Sequence, residues 1–307
     1  MGYRRRPATP PPRWAGLEGG IVRHRKAGVL ELVDVQVEGV HSPVLVGGPQ
    51  EAEAAVVFVH GNAGSGQDWR ALMESVSSFA RCVAPDMPGY GGADKPQDFD
   101  YTVEGFGRYL GGVLDQLSIR HAHLVLHDLG GPWGLNWAAG HSTAVASLAL
   151  LGIGALPGYR WHPFARMFRT PVLGEILLAL TRRRDVARTL RRGSRGSLPD
   201  AYVEAMARSF RDPGTRRAVL RFYRATPDLG AVTVRDAAAL REVNPPTLVI
   251  WGGGDPYVPA RYAQVQRQYF PRAEIAVLPT SGHWPFVDDP DGVANALVPF
   301  LRVQLSE

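Results

Sequence analysis

Three side chains able to share one reaction stand in three separate loops. Asp128 lies in Leu124-Val125-Leu126-His127-Asp128-Leu129-Gly130-Gly131, Asp255 in Trp251-Gly252-Gly253-Gly254-Asp255-Pro256-Tyr257-Val258-Pro259, and His283 in Ser281-Gly282-His283-Trp284-Pro285. A carboxylate can attack an electrophilic carbon and hold it as an ester. An imidazole can then take a proton from water, and a second carboxylate can orient and stabilise that imidazole. Each residue also has a plain alternative. Asp128 is a good helix N-cap, Asp255 a good turn residue, and His283 could be a surface histidine. What joins them is position, because each follows a separate predicted strand.

Those strands are legible as short apolar runs. Leu124 to Leu126 leads into the His127-Asp128 turn, and the glycines behind it permit a sharp turn into a helix over Leu129 to Ala139. Earlier, Leu30 to Val37 and Val44 to Val46 suggest a hairpin, and Ala54 to Val59 a strand covered on both faces. That strand ends in the glycine-rich loop His60-Gly61-Asn62-Ala63-Gly64-Ser65, and the segment from Trp69 reads as a helix. Cys82 to Ala84 and Ala146 to Leu151 are strand-like, and the apolar spacing from Val103 to Leu117 predicts an amphipathic helix. Near the C-terminus Pro246 to Trp251 and Glu274 to Leu278 read as strands, with helices over Ala260 to Tyr269 and Val293 to Leu301.

Strands alternating with helices imply a parallel sheet with helices on both faces. The alternation is interrupted between Pro157 and Leu240, where the chain reads as helices broken by prolines and by Gly193. The expected organisation is therefore an Arg/Pro-rich flexible arm at 1–28, an α/β core at 29–154 and 241–307, and a helical cap at 155–240 over the ligand-binding edge of the sheet. Two backbone N–H groups are needed to hold an oxyanion. Leu129, just after Asp128, and Asn62, in the loop after Val59, are the candidates. The same glycine-rich loop is no phosphate cradle, for it lacks the lysine and hydroxyl of a P-loop.

Composition narrows the partners. The chain has 307 residues, is 45 % hydrophobic and 21 % charged, and carries a net charge of +5. Arginine dominates that charge, especially between Arg160 and Arg224, so a nucleic-acid or acidic-lipid partner is conceivable. No groove-reading motif or aromatic ladder accompanies the arginines, and solvated helix faces explain them more cheaply. Neither nucleic acid nor a membrane is expected as partner, since no stretch reaches the roughly 18 apolar residues of a span. The start, Met1-Gly2-Tyr3-Arg4-Arg5-Arg6, leads into prolines rather than an apolar segment, which makes cytoplasmic residence the expectation. The single cysteine, Cys82, fits a reducing compartment. The nine histidines show no ligand spacing, so no metal is expected, and the chemistry requires no cofactor.

Taken together, His60-Gly61-Asn62, Asp86 to Pro96, His127 to Gly131, Trp251 to Pro259 and Gly282-His283 resemble the α/β-hydrolase fold family. The resemblance is to its aspartate-nucleophile branch, the epoxide hydrolases and haloalkane dehalogenases, and runs from about Leu30 to Leu301. It implies a mostly parallel sheet with helices on both faces and an inserted helical cap. It also implies a small apolar electrophile, an epoxide or alkyl halide, as substrate; a homodimer is compatible with it. The order nucleophile, acid, histidine along the chain is that of this fold.

The dehalogenases so resembled hold halide with an Asn after His-Gly and a Trp directly after the nucleophile. Asn62 matches the first, but Leu129 replaces the second, leaving Trp133, Trp137, Trp161 or Trp284 as substitute donors or as packing. Epoxide hydrolases instead protonate the opening ring with cap tyrosines. Arg221-Phe222-Tyr223-Arg224 resembles the motif that carries one, making Tyr223 the candidate general acid, with Tyr159 and Tyr202 as candidates for the second. Asn62-Ala63 departs from the epoxide-hydrolase pattern, and Phe164 to Pro171 looks more like a dehalogenase lid. The expectation is epoxide hydrolysis through an Asp128 ester. Haloalkane dehalogenation, another reaction on a lactone or natural-product intermediate, and non-catalytic binding of a small molecule are the alternatives.

Overall fold

A computed structural model describes residues 30–196 and 198–306; the expected arm at 1–28 lies outside the described residues. Strands β1 (Glu31–Val37) and β2 (Val40–Gly47) form the expected hairpin, turning at Glu38 and Gly39, both with positive φ. Next come β3 (Ala54–Val59), β4 (Cys82–Pro85), β5 (His121–His127), β6 (Val145–Leu151), β7 (Thr247–Gly252) and β8 (Glu274–Leu278). Together they make one sheet in the order β1-β2-β4-β3-β5-β6-β7-β8. Pairing is antiparallel from β1 to β4 and parallel from β4 onward. The parallel inner strands are buried along most of their length, as β3 shows with Ala55 to Val59 all inaccessible, which is why they read as apolar runs.

Helices cover both faces. On one side α1 (Arg70–Val76) packs against the C-terminal helix; on the other α2 (Val103–Gln116) packs against α3 (Gly130–Gly140). The apolar spacing of α2 works as expected: Val103, Phe106, Leu110, Val113 and Leu114 are buried, and Thr102 caps its first turn by accepting from Gly105 N–H. The long segment between β6 and β7 folds as α4 (Pro163–Arg169), α5 (Leu173–Leu180), α6 (Arg183–Gly193), α7 (Asp200–Arg211), α8 (Pro213–Ala225) and α9 (Leu229–Ala239). The last of these packs on α3. The chain closes with α10 (Arg261–Val265), α11 (Pro285–Asp288) and α12 (Pro290–Gln304), the partner of α1.

The strand-to-helix turn between β5 and α3 is tight. Asp128 occupies it with φ +49°, a left-handed conformation that costs a non-glycine residue energy and is tolerated when the surroundings impose it. Gly130 makes the turn possible. A Cβ there would lie 2.3 Å from the Val59 carbonyl oxygen, so any larger residue would push α3 off β3.

Candidate active site

Parallel pairing carries the C-terminal ends of β3, β5, β7 and β8 to one edge of the sheet, and each end delivers a functional loop there. After β7, Asp255 is buried, and its Oδ1 accepts from the Tyr257 and Val258 N–H groups at 2.8 and 3.0 Å. After β8, His283 is also buried, with Nδ1 2.8 Å from Asp255 Oδ2 and Nε2 3.3 Å from Asp128 Oδ2. After β3, the Asn62 N–H donates to Asp128 Oδ1 at 2.7 Å. Asp128, Asp255 and His283 are thus brought into one hydrogen-bonded line, with Asn62 on the remaining oxygen of Asp128.

Further contacts fix these loops. The Gly254 N–H donates to the Ser281 carbonyl at 2.9 Å, tying the Asp255 loop to the His283 loop. Asp86, in the loop motif after β4, takes the Gly66 and Gly92 N–H groups on its two oxygens, each at 2.6 Å. Beside it His60 Nε2 accepts from Met87 N–H at 3.0 Å, which anchors the loop that presents Asn62.

The charge state follows from this geometry. Burial opposes ionisation of Asp128, but His283, His127 and the Asn62 N–H outweigh it and hold the carboxyl below its usual range. Burial likewise opposes the imidazolium of His283, yet Asp255 and Asp128 together raise it to about 10. At neutral pH the resting pair is carboxylate and imidazolium. An ionised carboxylate held this way can attack carbon. Once esterified it no longer supports the charge on His283, and the ring is freed to act as a base.

The carboxylate opens into an apolar cavity roofed by the inserted helices, with Leu177, Leu178, Val186, Leu190 and Phe210 among its walls. Tyr223 lines it, and burial and the Asp128 charge push its phenol well above the ordinary value, with the Asn62 side chain acting in the opposite sense. Tyr159 lines it too, whereas Tyr202 stands outside the lining with a buried hydroxyl that has no hydrogen-bond partner.

Of the tryptophans weighed as substitute halide donors or as packing, Trp161 and Trp133 are corrected as donors, and Trp137 packs as its favoured reading had it. Trp161 lines the cavity, but its Nε1–H is given to the Thr226 carbonyl at 2.9 Å. Trp133 stacks on Phe106 with centroids 4.1 Å apart and is not among the lining residues; Trp137 stacks on His141. Ring packing claims both, since aromatic side chains bury large areas against neighbouring rings. Trp284 does line the cavity, with its ring 4.9 Å from that of His283.

Several residues of the site carry no sequence signal strong enough to find them. His127, next to the nucleophile candidate, donates Nε2–H to the His283 carbonyl at 2.7 Å, and burial drops its pKa to about 4. The Gly193 carbonyl, at the end of α6, accepts from the His283 N–H at 2.6 Å. Asp288 receives the Gly282 and Arg195 N–H groups at 2.7 and 2.9 Å and the Ser194 hydroxyl, joining α6 to the same loop. Only the closeness of Asp288 to His283 in sequence hints at its part.

The chain has counterparts among known proteins. The alpha/beta hydrolase fold family matches residues 54–290. A haloalkane dehalogenase of Mesorhizobium japonicum is 31 % identical over 261 residues, covering 80 % of this chain and 84 % of the relative. A cis-3-alkyl-4-alkyloxetan-2-one decarboxylase of Shewanella oneidensis is 29 % identical, covering 80 % and 81 %. The crystal structure of a haloalkane dehalogenase from Bradyrhizobium elkani superposes with a TM-score of 0.80 at 25 % identity, over 91 % of this chain and 99 % of that one.

Proposed function

The chain belongs to the α/β-hydrolase fold family and is a hydrolase, and we propose that it opens small apolar epoxides through an ester on Asp128 and releases diols. One observation carries the choice of leaving group. The side chain following Asp128 is Leu129, which has no N–H to offer a departing halide, while a protonated phenol, Tyr223, lines the same cavity beside Asn62. An alkoxide is a far poorer leaving group than halide and needs that proton.

In this reading an Asp128 oxygen attacks a ring carbon, the C–O bond breaks, and the ring oxygen takes the Tyr223 proton. Tyr223 is reprotonated at the expense of the His283 imidazolium, through solvent. Neutral His283, held by Asp255, then removes a proton from water as the water oxygen adds to the Asp128 carbonyl carbon. The Asn62 and Leu129 N–H groups hold the oxyanion. Collapse expels the substrate oxygen, which leaves with the proton of the added hydroxyl. The products are the diol, ionised Asp128 and protonated His283, so the cycle closes. The helices of the segment 155–240, α4 to α9, serve as the cap that keeps bulk water from the ester.

Haloalkane dehalogenation is the second reading, favoured by the names of the relatives and by the Asn62 side chain in the cavity. The Shewanella relative is named for a four-membered oxygen ring, so such a ring belongs in the test. Purified protein is incubated with terminal and internal alkyl epoxides, bromoalkanes and a dialkyl oxetan-2-one, and diol, halide and carbon dioxide are measured. Diol release exceeding halide release supports the proposal. Halide release from bromoalkanes with intact epoxides overturns it in favour of the second reading.

A further inference from the structure

The wall of the cavity has an outer side that the reaction does not use. Helices α5 and α6 both turn one face inward: Leu177 and Leu178 from the first, Val186 and Leu190 from the second. The outward face of α5 is also apolar. Leu173, Ile176 and Leu180 recur at helical spacing with exposures of 43 %, 50 % and 69 %, and Val172 before them is 67 % exposed. These residues are half of the exposed large hydrophobic side chains among the described residues, gathered in one nine-residue stretch. Single exposed apolar residues are ordinary, but a contiguous stripe is not.

The outward face of α6 has a different character. From Arg182 to Arg192 the chain carries six arginines against one aspartate, Asp185. Arg183 is engaged by Asp200 and Glu204 of α7 at 3.1 and 3.0 Å, while Arg184, Arg188, Arg191 and Arg192 face solvent. Arg184 and Arg188 stand 3.9 and 3.6 Å from Asp185, a single carboxylate between two guanidinium groups. Only Thr181 and Arg182 separate the two helices along the chain, so the apolar stripe and the cationic one are carried by consecutive helices.

We propose that the outer faces of α5 and α6 dock the protein peripherally on an anionic lipid bilayer. Leu173, Ile176 and Leu180 enter the interface between headgroups and acyl chains, and the arginines of α6 pair with lipid phosphates. Charge decides between occupants. A second copy of this chain set against the same face would bring two cationic helices together, whereas anionic headgroups neutralise them. The proposal departs from the sequence expectation of no membrane partner, which rested on the lack of a span: no helix of the described residues is long and apolar enough to cross a membrane, and surface docking requires none. The inference concerns the surface alone and stands whichever substrate the cavity accepts.

The test is sedimentation of the full chain with vesicles of phosphatidylcholine alone and of phosphatidylcholine with phosphatidylglycerol. The protein is expected to pellet with the anionic vesicles and to be released by high salt. Arg184→Gln and Arg188→Gln should each weaken partitioning about fivefold, the scale for one basic residue near an anionic surface. Leu180→Glu should abolish it while the melting temperature stays within a few degrees of wild type, since the residue is exposed. Absence from the anionic pellet overturns the proposal. So does binding that survives Leu180→Glu combined with Arg184→Gln and Arg188→Gln, which would place the contact elsewhere. A dimer in analytical ultracentrifugation that Leu180→Glu dissociates, with no vesicle binding by wild type, would assign the face to a second copy.

Discussion

His283 Nε2 stands 3.3 Å from Asp128 Oδ2, at the far end of a ring whose other nitrogen is held 2.8 Å from Asp255. The imidazole therefore bridges two carboxylates with different prospects. Asp255 is sealed against the backbone, out of reach of substrate, while Asp128 faces the cavity and loses its charge on esterification.

That relationship has a pH signature. The His283 ring is held at about 10 against an ordinary 6.5, so its pairing contributes stability that is complete below the ordinary value and is lost as pH rises through about 10. Asp128 has its pKa lowered, so its contribution is present above the ordinary carboxylate range and is lost as pH falls below it. In Asp128→Asn the imidazolium keeps only Asp255, and its titration should move to lower pH. Imidazole NMR of the variant checks this, and an unchanged His283 titration would contradict the ion pair.

Asp255→Asn should leave the loop folded, because an amide oxygen can still accept from Tyr257 and Val258. It removes the charge that orients and supports the ring. Turnover should fall on the order of 10³-fold or more. Rapid-quench kinetics should locate the loss in ester hydrolysis; a loss confined to ring opening would speak against the role given to Asp255.

Tyr223→Phe should slow epoxide opening on the order of 10²-fold or more if the phenol supplies the proton. The hydroxyl is the only atom removed, so packing against Trp161, 4.8 Å away between centroids, is retained. Diol formation at the wild-type rate would exclude Tyr223 as the donor.

Gly61 approaches the nucleophile so closely that an added Cβ would lie 2.3 Å from the Asp128 Cβ and Oδ1. Gly61→Ala should displace the carboxyl and reduce turnover by about 10²-fold. Thermal melts and activity measured together check it: a variant with wild-type turnover would show that the carboxyl position is not critical.

The sequence disclosed what local patterns encode. The bounds of β3 and β8 agree with the expected runs Ala54 to Val59 and Glu274 to Leu278, and α2 follows its apolar spacing. Glycines around Asp128 announced the turn because only a missing Cβ fits there. The fates of Trp133, Trp161 and Tyr202 were hidden, since which face an indole or phenol presents depends on distant partners such as Phe106 and Thr226. Equally invisible was the link between Gly193 and His283, a backbone contact that any residue type could make.

The central claim is a covalent bond between Asp128 and substrate. The most direct measurement is intact-protein mass spectrometry of His283→Ala after incubation with an epoxide that wild type turns over. The account predicts a stable gain of one whole substrate mass, located by peptide mapping on Asp128 and absent from Asp128→Ala with the same substrate. Continued turnover by His283→Ala, or an unmodified Asp128 after prolonged exposure, would contradict it.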